Sequence, residues 1–302
     1  MIVTVTPNTA LDVTYTVDSL VPDAVHRARD VRRRAGGKGV NVARVLHALD
    51  VDVHAIATAG GATGVAVATE LGAAGLSAEL VPIGGETRRT TTVLSASDGS
   101  VTLINEPGPV VTAAEWELLA EHVHRREPEV LVCSGSLPPG APSEGYARLL
   151  AGRTSVLDTS GAALLAGLAG RPAVVKPNAE ELREATGHDD LERAARELMR
   201  AGAGAVVVSL GAGGLLAVTP AGTWRATPPG ALTGNATGAG DAVVAALALG
   251  LSRREPWPEI LRRAVALSGA AVLGPLAGDV DLAHYHRQGQ RVAVRARPEQ
   301  ES

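Results

Sequence analysis

The stretch Asn235-Ala-Thr-Gly-Ala-Gly-Asp241, followed at once by the apolar run from Ala242 to Leu251, decides how the rest of the chain is read. Gly238 and Gly240 have no Cβ, so a tight turn can bring backbone N–H groups together. The apolar run reads as a buried helix, which would put the amides of Gly238, Ala239 and Gly240 at its N-terminus. That is an anion site by geometry and by dipole. Asp241 falls in the first turn, where the dipole favours the ionised carboxylate. A cradle for negative charge beside a carboxylate that can accept a proton is what phosphoryl transfer to a hydroxyl requires. The bland alternative is a helix N-terminus with ordinary flexible glycines, and this stretch alone does not choose between them. It is not a Walker loop, since no Lys-Ser or Lys-Thr follows the glycines. Nor is it a dinucleotide fingerprint, since Val243 holds the third glycine position.

Outward from this stretch, strands alternate with helices. Strands are expected at 2–6, 13–17, 25–34, 53–59, 80–83, 130–133, 155–157, 173–175 and 205–210. Helices are expected at 42–49, 65–74, 162–169, 179–186, 191–201 and 260–273, with a glycine turn at 60–64. Thr112-Ala-Ala-Glu115 is a capping box for a helix running to Arg126. Ser97-Asp-Gly99 joins two strands at 89–96 and 100–104, and Pro220-Ala-Gly222 turns a second hairpin. The tail from Arg295 is expected to fray. The fold class is therefore α/β, one domain over 1–302: a mostly parallel central sheet with helices on both faces. Two strand-like segments, about 11–34 and 84–108, break the alternation. They are expected to pair as a small β-sheet lid over the strand ends, where such sheets place their chemistry.

Composition narrows the function. The chain has 302 residues, no Phe and 2% aromatics, so its core must be Ala, Val and Leu, and an aromatic stacking surface for nucleic-acid bases is not expected. A net charge of −4 argues against nucleic-acid and anionic-membrane partners. No apolar run reaches the ~18 residues of a membrane span, and no secretory leader is visible. Cys133 stands alone and reads as a small buried hydrophobe, consistent with a cytoplasmic protein. The eight His show no ligand spacing.

Further loops could carry chemistry. Gly36-Gly37-Lys38-Gly39 with Asn41 would let a sugar approach the backbone; alternatively Lys38 is an exposed turn residue. Of Arg88 and Arg89, which face opposite ways on a strand, at most one can enter a site. An Arg fork suits a phosphate, although a solvated edge charge is the commoner case. Asn178 and Glu181 are spaced to hold a hydrated Mg²⁺, or equally to cap a helix. Asp158 follows an apolar strand and would aid a metal or simply turn the chain. Ser134 and Ser136 would donate to a sugar or serve as loop residues.

Taken together, the pieces Thr6-Pro-Asn-Thr-Ala-Leu-Asp12, Gly36–Arg44, Ser134–Gly140, Asp158–Gly161, Lys176–Leu182, Val208–Gly213 and Asn235–Asp241 resemble the ribokinase-like sugar kinases of the PfkB family. Within the family, the chain is most similar to bacterial 1-phosphofructokinases, with tagatose-6-phosphate kinases and the minor 6-phosphofructokinases nearby. The resemblance implies ATP and Mg²⁺ as cofactors and Asp241 as catalytic base, with Gly238, Ala239 and Gly240 as the anion hole. Asp12, Gly37, Lys38, Asn41 and Ser136 would bind the sugar, and Arg88 the phosphate already on it. Lys176, Asn178, Ser209, Gly211 and Gly214 would meet the nucleotide, and Asn178 and Glu181 would organise Mg²⁺ through water, with Asp158 nearby. Val25 stands where the minor 6-phosphofructokinase type carries a substrate-binding Lys, which favours fructose 1-phosphate over fructose 6-phosphate. A homodimer through the lid is a further implication.

Overall fold

The structure is a computed structural model in which residues 1–297 are described. The chain opens with β1 (Ile2–Thr6), β2 (Ala10–Val17) and β3 (Asp30–Gly36), then enters α1 (Lys38–Ala48). β4 (Val53–Ala59), α2 (Gly61–Ala73) and β5 (Ala78–Pro82) follow, then the hairpin β6 (Arg88–Ser95) and β7 (Val101–Asn105). After α3 (Ala113–Arg126) come β8 (Val130–Ser134), α4 (Gly145–Leu150), β9 (Ser155–Asp158), α5 (Gly161–Gly167) and β10 (Val174–Val175). Next are α6 (Ala179–Thr186), α7 (Leu191–Arg200), β11 (Val206–Ser209) and the hairpin β12 (Leu215–Thr219) and β13 (Gly222–Thr227). The chain closes with α8 (Ala239–Ser252), α9 (Trp257–Val272), α10 (Leu282–Gln288) and β14 (Ala293–Arg297).

The large sheet runs β14-β13-β12-β11-β10-β9-β8-β1-β4-β5. It is parallel from β11 to β5, and β12 to β14 extend it antiparallel. Its central strands are buried on both faces, and their alternating residues feed two separate cores. Val130, Val132 and Val207 face the core built on α1, α2, α8 and α9. Leu131, Cys133, Val206 and Val208 face the core built on α3 to α7. A helix that is apolar all round must be wrapped on all sides. α8 meets this by packing against α1, α9 and the sheet, and every residue from Asp241 to Gly250 is buried.

From β1 the strand order grows outward in both directions: β4 and β5 lie on one side, β8 to β11 on the other. The reversal lies between β1 and β8, and a crevice opens at such a switch point beyond the carboxyl ends of the strands. Above it sits the small sheet, β3-β2-β6-β7, made from the two segments that break the alternation. β2 pairs with β3 antiparallel and with β6 parallel.

Several boundaries differ from expectation. The strand placed at 25–34 lies at Asp30–Gly36, because its register is set by pairing Ala10 with Gly36. α1 begins at Lys38 rather than 42, since Gly37 adopts φ 102° and serves as its N-cap. The glycine turn at 60–64 is largely the first turn of α2. Two short helices, α4 and α10, lie outside the expected pattern: each is under two turns long, too short for a repeating stripe to stand out. The tail from Arg295 does not begin to fray there: residues 295–297 pair with Thr223–Arg225 in β13. The rest of that tail lies outside the described residues. Among the described residues, no helix is long and apolar enough to cross a membrane.

α1 lies hard against β1. A Cβ on Gly39 would fall 2.4 Å from Thr6 Oγ1 and 2.7 Å from the Val5 carbonyl oxygen. Gly39→Ala is therefore expected to lower stability by roughly 1–3 kcal/mol, the usual cost of overpacking, as read by urea denaturation. An unchanged midpoint would contradict the close packing.

Candidate active site

A cleft of about 680 Å³ opens at the switch point, between the small sheet and the carboxyl ends of β1, β8, β9 and β11. Two helix N-termini meet in it. α1 contributes Lys38 and Asn41 from its first turn, behind the Gly37 cap. α8 contributes Asp241 from its own first turn, behind Gly238 at φ 87°. The residues join across the cleft, where Asn41 Nδ2 donates to Asp241 Oδ2 at 2.9 Å. The Ala239 N–H turns back onto the Ala236 carbonyl at 3.2 Å. Of the expected Gly238, Ala239 and Gly240 amides, that of Ala239 is thus engaged, while those of Gly238, Gly240 and the following Asp241 make no backbone hydrogen bond among the described residues. Lys176 Nζ lies 3.6 Å from where a Gly240 Cβ would stand, which places the cation beside the cradle.

Burial pushes the Asp241 carboxyl up to about 7; the nearby Asp158 adds to the rise, while Lys38, Asn41 and Lys176 oppose it. Asp158 itself is fully engaged. Lys176 and Lys38 reach its Oδ1 at 3.2 and 3.4 Å, and Ser134 donates to its Oδ2 at 3.0 Å. Burial works against ionisation of Asp158, yet Lys176, Lys38 and Ser134 together hold its carboxyl below the usual carboxylate range. Asp158 thus serves as a buried counter-charge that orients two lysines.

The small sheet contributes Asp12 and Arg88. Burial raises Asp12 to about 6 against the pull of Arg88, Thr90 and Arg34. Arg88 enters the cleft, donating from Nε to the Asn8 carbonyl (3.3 Å) and from Nη1 to the Glu106 carbonyl (2.9 Å). Arg89 turns away toward Thr63, as strand alternation requires. Sequence reasoning does not single out Asn8, yet this residue bridges the switch point. Its Nδ2 donates to Ser136 Oγ and to the Pro107 carbonyl, both at 3.0 Å. Its signals in the sequence are the Pro-Asn break after β1 and its place inside the stretch Thr6–Asp12.

Asn178 and Glu181 line the cleft and also close a capping box: the Asn178 N–H donates to Glu181 Oε2 and the Glu181 N–H to Asn178 Oδ1, each at 2.8 Å. The capping reading thus holds, and it leaves the second Glu181 oxygen uncommitted. Among the described residues, no group of three His, Cys, Asp or Glu side chains could hold a metal directly. The donors present therefore fit a hydrated ion held through water better than a directly ligated one. Ser209 and Gly240 border both the cleft and a second cavity of about 380 Å³. Gly211, Gly214, Ala239, Val243 and Val272 line this cavity, a largely apolar slot suited to a flat base.

Comparison with known proteins places this geometry. Residues 3–282 match the pfkB family of carbohydrate kinases. The chain belongs to that family. It is 32% identical to phosphofructokinase-2 from Escherichia coli, covering 96% of this chain and 98% of that one. TM-scores are 0.91 for its potassium complex and 0.89 for its complex with fructose 6-phosphate. A possible 1-phosphofructokinase from Thermotoga maritima shares the fold at TM-score 0.88 and 24% identity, covering 99% of this chain and 100% of that one. Ribokinase from the same organism does so at TM-score 0.78 and 18% identity, over 95% and 98%. The protein is thus an ATP-dependent sugar kinase with a ribokinase-like fold, as the sequence motifs implied.

Asp241, with its raised pKa, carries a stability cost that depends on pH. Its folded-state pKa near 7 exceeds the ordinary 3.8, so the folded chain binds that proton more tightly than the unfolded one. The penalty is absent below pH ~4, grows as pH rises to about 7 and then levels off, on the order of a few kcal/mol. Asp241→Asn is expected to melt several degrees above wild type at pH 8 and close to it at pH 4.5. A gap that does not widen with pH would refute the buried charge.

Proposed function

We propose that this kinase transfers the terminal phosphoryl group of ATP to the 6-hydroxyl of fructose 1-phosphate, giving fructose 1,6-bisphosphate. The observation that carries the reading is Asp241, a buried carboxylate with a pKa near 7, tied to Asn41 beside free helix-terminal amides. In this reading Asp241 accepts the proton of the attacking hydroxyl. The Gly240 and Asp241 amides, with Lys176, offset charge developing on the transferred group. Asp12, Gly37, Lys38, Asn41 and Ser136 orient the sugar. Arg88, pre-set by two backbone carbonyls, grips the phosphate it already carries. Ser209, Gly211 and Gly214 border the nucleotide. Mg²⁺, when present, would be held through water by Asn178 and Glu181, and would supply charge neutralisation at the phosphates.

We take the chain as one kinase unit in the cytosol, the small sheet acting as its lid. β7 is exposed along its whole length, with Leu103 and Ile104 bare to solvent, which supports pairing of two lids in a homodimer. Val25, on the loop between β2 and β3, is uncharged and 89% exposed, so it supplies no cation to the site. That favours fructose 1-phosphate. The 32% identity to phosphofructokinase-2 favours fructose 6-phosphate as a second reading. Tagatose 6-phosphate is a neighbouring candidate. An unphosphorylated sugar would leave Arg88 without a phosphate to grip, and a non-catalytic regulator would have no use for Asp241 as a base.

A coupled kinase assay with the three hexose phosphates is expected to give the highest kcat/KM for fructose 1-phosphate; a preference for fructose 6-phosphate would replace our substrate with the second reading. Arg88→Ala should raise KM for the sugar phosphate and leave KM for ATP nearly unchanged, and the reverse split would put Arg88 on the wrong ligand. Asp241→Asn should cut kcat by at least ~10²–10⁴, the usual worth of a general base, whereas near-normal turnover would remove it from the chemistry.

A further inference from the structure

The outer edge of the small sheet ends inside the protein. β3 is an edge strand, and Ala35, next to its last residue, is completely buried. A buried edge needs partners for its outward N–H and C=O groups. At Ala35 they come from side chains. Its N–H donates to Glu70 Oε2 on α2 at 3.0 Å, and its carbonyl accepts from Arg44 Nη2 on α1 at 3.3 Å. Arg44 Nη2 also donates to the same Glu70 oxygen. Arg44 is 6% exposed, so this pair is a built feature and not a surface ion pair. Two helices of the core thereby stand in for the missing neighbour strand.

The grip at Ala35 sits one residue before the sugar-facing end of β3. A Cβ on Gly36 would lie 2.0 Å from Asp12 Oδ2, so the strand end rests directly against that carboxylate. Gly37 and Lys38 come next in the chain. Arg44 also supports the opposite wall: a Cβ on Gly278 would lie 3.0 Å from Arg44 Cδ, and one on Gly238 would lie 3.0 Å from Ala277 Cα. The adjoining Asp279 carboxylate pairs with Arg34 of β3 at 2.7 Å. One side chain thus touches both the root of the small sheet and the loop that backs the anion cradle.

We propose that Arg44 and Glu70 are positioning residues, a clamp on the root of the small sheet that fixes where Asp12 and Lys38 stand relative to Asp241. This rests on the small sheet being the lid that binds the sugar phosphate. The test compares Glu70→Ala, Glu70→Gln and Arg44→Lys with wild type in the full chain. It reads steady-state kinetics together with hydrogen exchange of the ligand-free protein. Glu70→Ala should raise KM for the sugar phosphate at least about five-fold while KM for ATP stays within about two-fold. Exchange of the amides at 35–38 should speed by about tenfold, with β8 to β11 unaffected. Glu70→Gln keeps an acceptor for the Ala35 N–H and should show a smaller change of the same kind. Arg44→Lys, whose shorter side chain draws the cation back from the place where Nη2 meets both the Ala35 carbonyl and Glu70, should follow Glu70→Ala. If Glu70→Ala does not fold, the other two variants decide. A lowered melting temperature with unchanged sugar KM and unchanged exchange at 35–38 would overturn the clamp and leave an ion pair that only stabilises. If wild type phosphorylates no sugar phosphate, the lid reading falls, while the exchange data still judge the clamp on their own.

Discussion

The site depends on burying the Asp241 carboxylate where two helices begin. Desolvation alone would keep that group protonated at neutral pH. The fold moderates it with a hydrogen bond from Asn41, which is 200 residues away in sequence, and with two lysines nearby. The lysines are in turn held by Asp158, whose own burial is tolerable only because both of them and Ser134 converge on it. One unpaired charge in this set would leave a buried ion without a partner, an arrangement proteins rarely sustain. The outcome is a carboxylate poised near neutrality beside amides that favour negative charge.

The large sheet supplies the place and the small sheet supplies the approach. Reversal of strand order at β1 and β8 opens the crevice, and Asn8 spans it by holding Ser136 on one side and the Pro107 carbonyl on the other. The same residue's carbonyl steers Arg88. The strand that carries Asp12 is bound to the core through its neighbour β3, at Ala35. Ligand-facing groups on the small sheet are therefore tied to the catalytic wall at several separate points. This suits the proposed mechanism, in which a hydroxyl is brought to Asp241 with water kept out.

Much of this was legible in the residues. The parallel alternation, the hairpin at Ser97–Gly99, the capping box at Thr112–Glu115 and the two segments of the small sheet all carry local signals. The cleft gathers Asp12, Gly37, Lys38, Asn41, Arg88, Asn178 and Asp241 as expected. The failures have physical causes. A glycine with positive φ at Gly37 lets α1 start four residues before its apolar stripe does, so pattern reading began the helix late. α4, α10 and β14 are too short for their periodicity to be read from sequence. The Asn178–Glu181 spacing serves a cap and a metal shell equally well, and sequence cannot separate the two. Asn8, Arg44 and Glu70 act through contacts made across the fold, which no local pattern announces.

Everything in the proposed mechanism turns on a buried carboxylate with a pKa near 7 acting as the proton acceptor. The most direct measurement is kcat/KM for the preferred sugar phosphate against pH, from about 5 to 9, at saturating ATP and Mg²⁺. Wild type should show an acid limb of unit slope bending near pH 7, and the residual activity of Asp241→Asn should show no such limb. A wild-type profile that is flat through pH 7, or an identical limb in the variant, would contradict the assignment of Asp241 as the base.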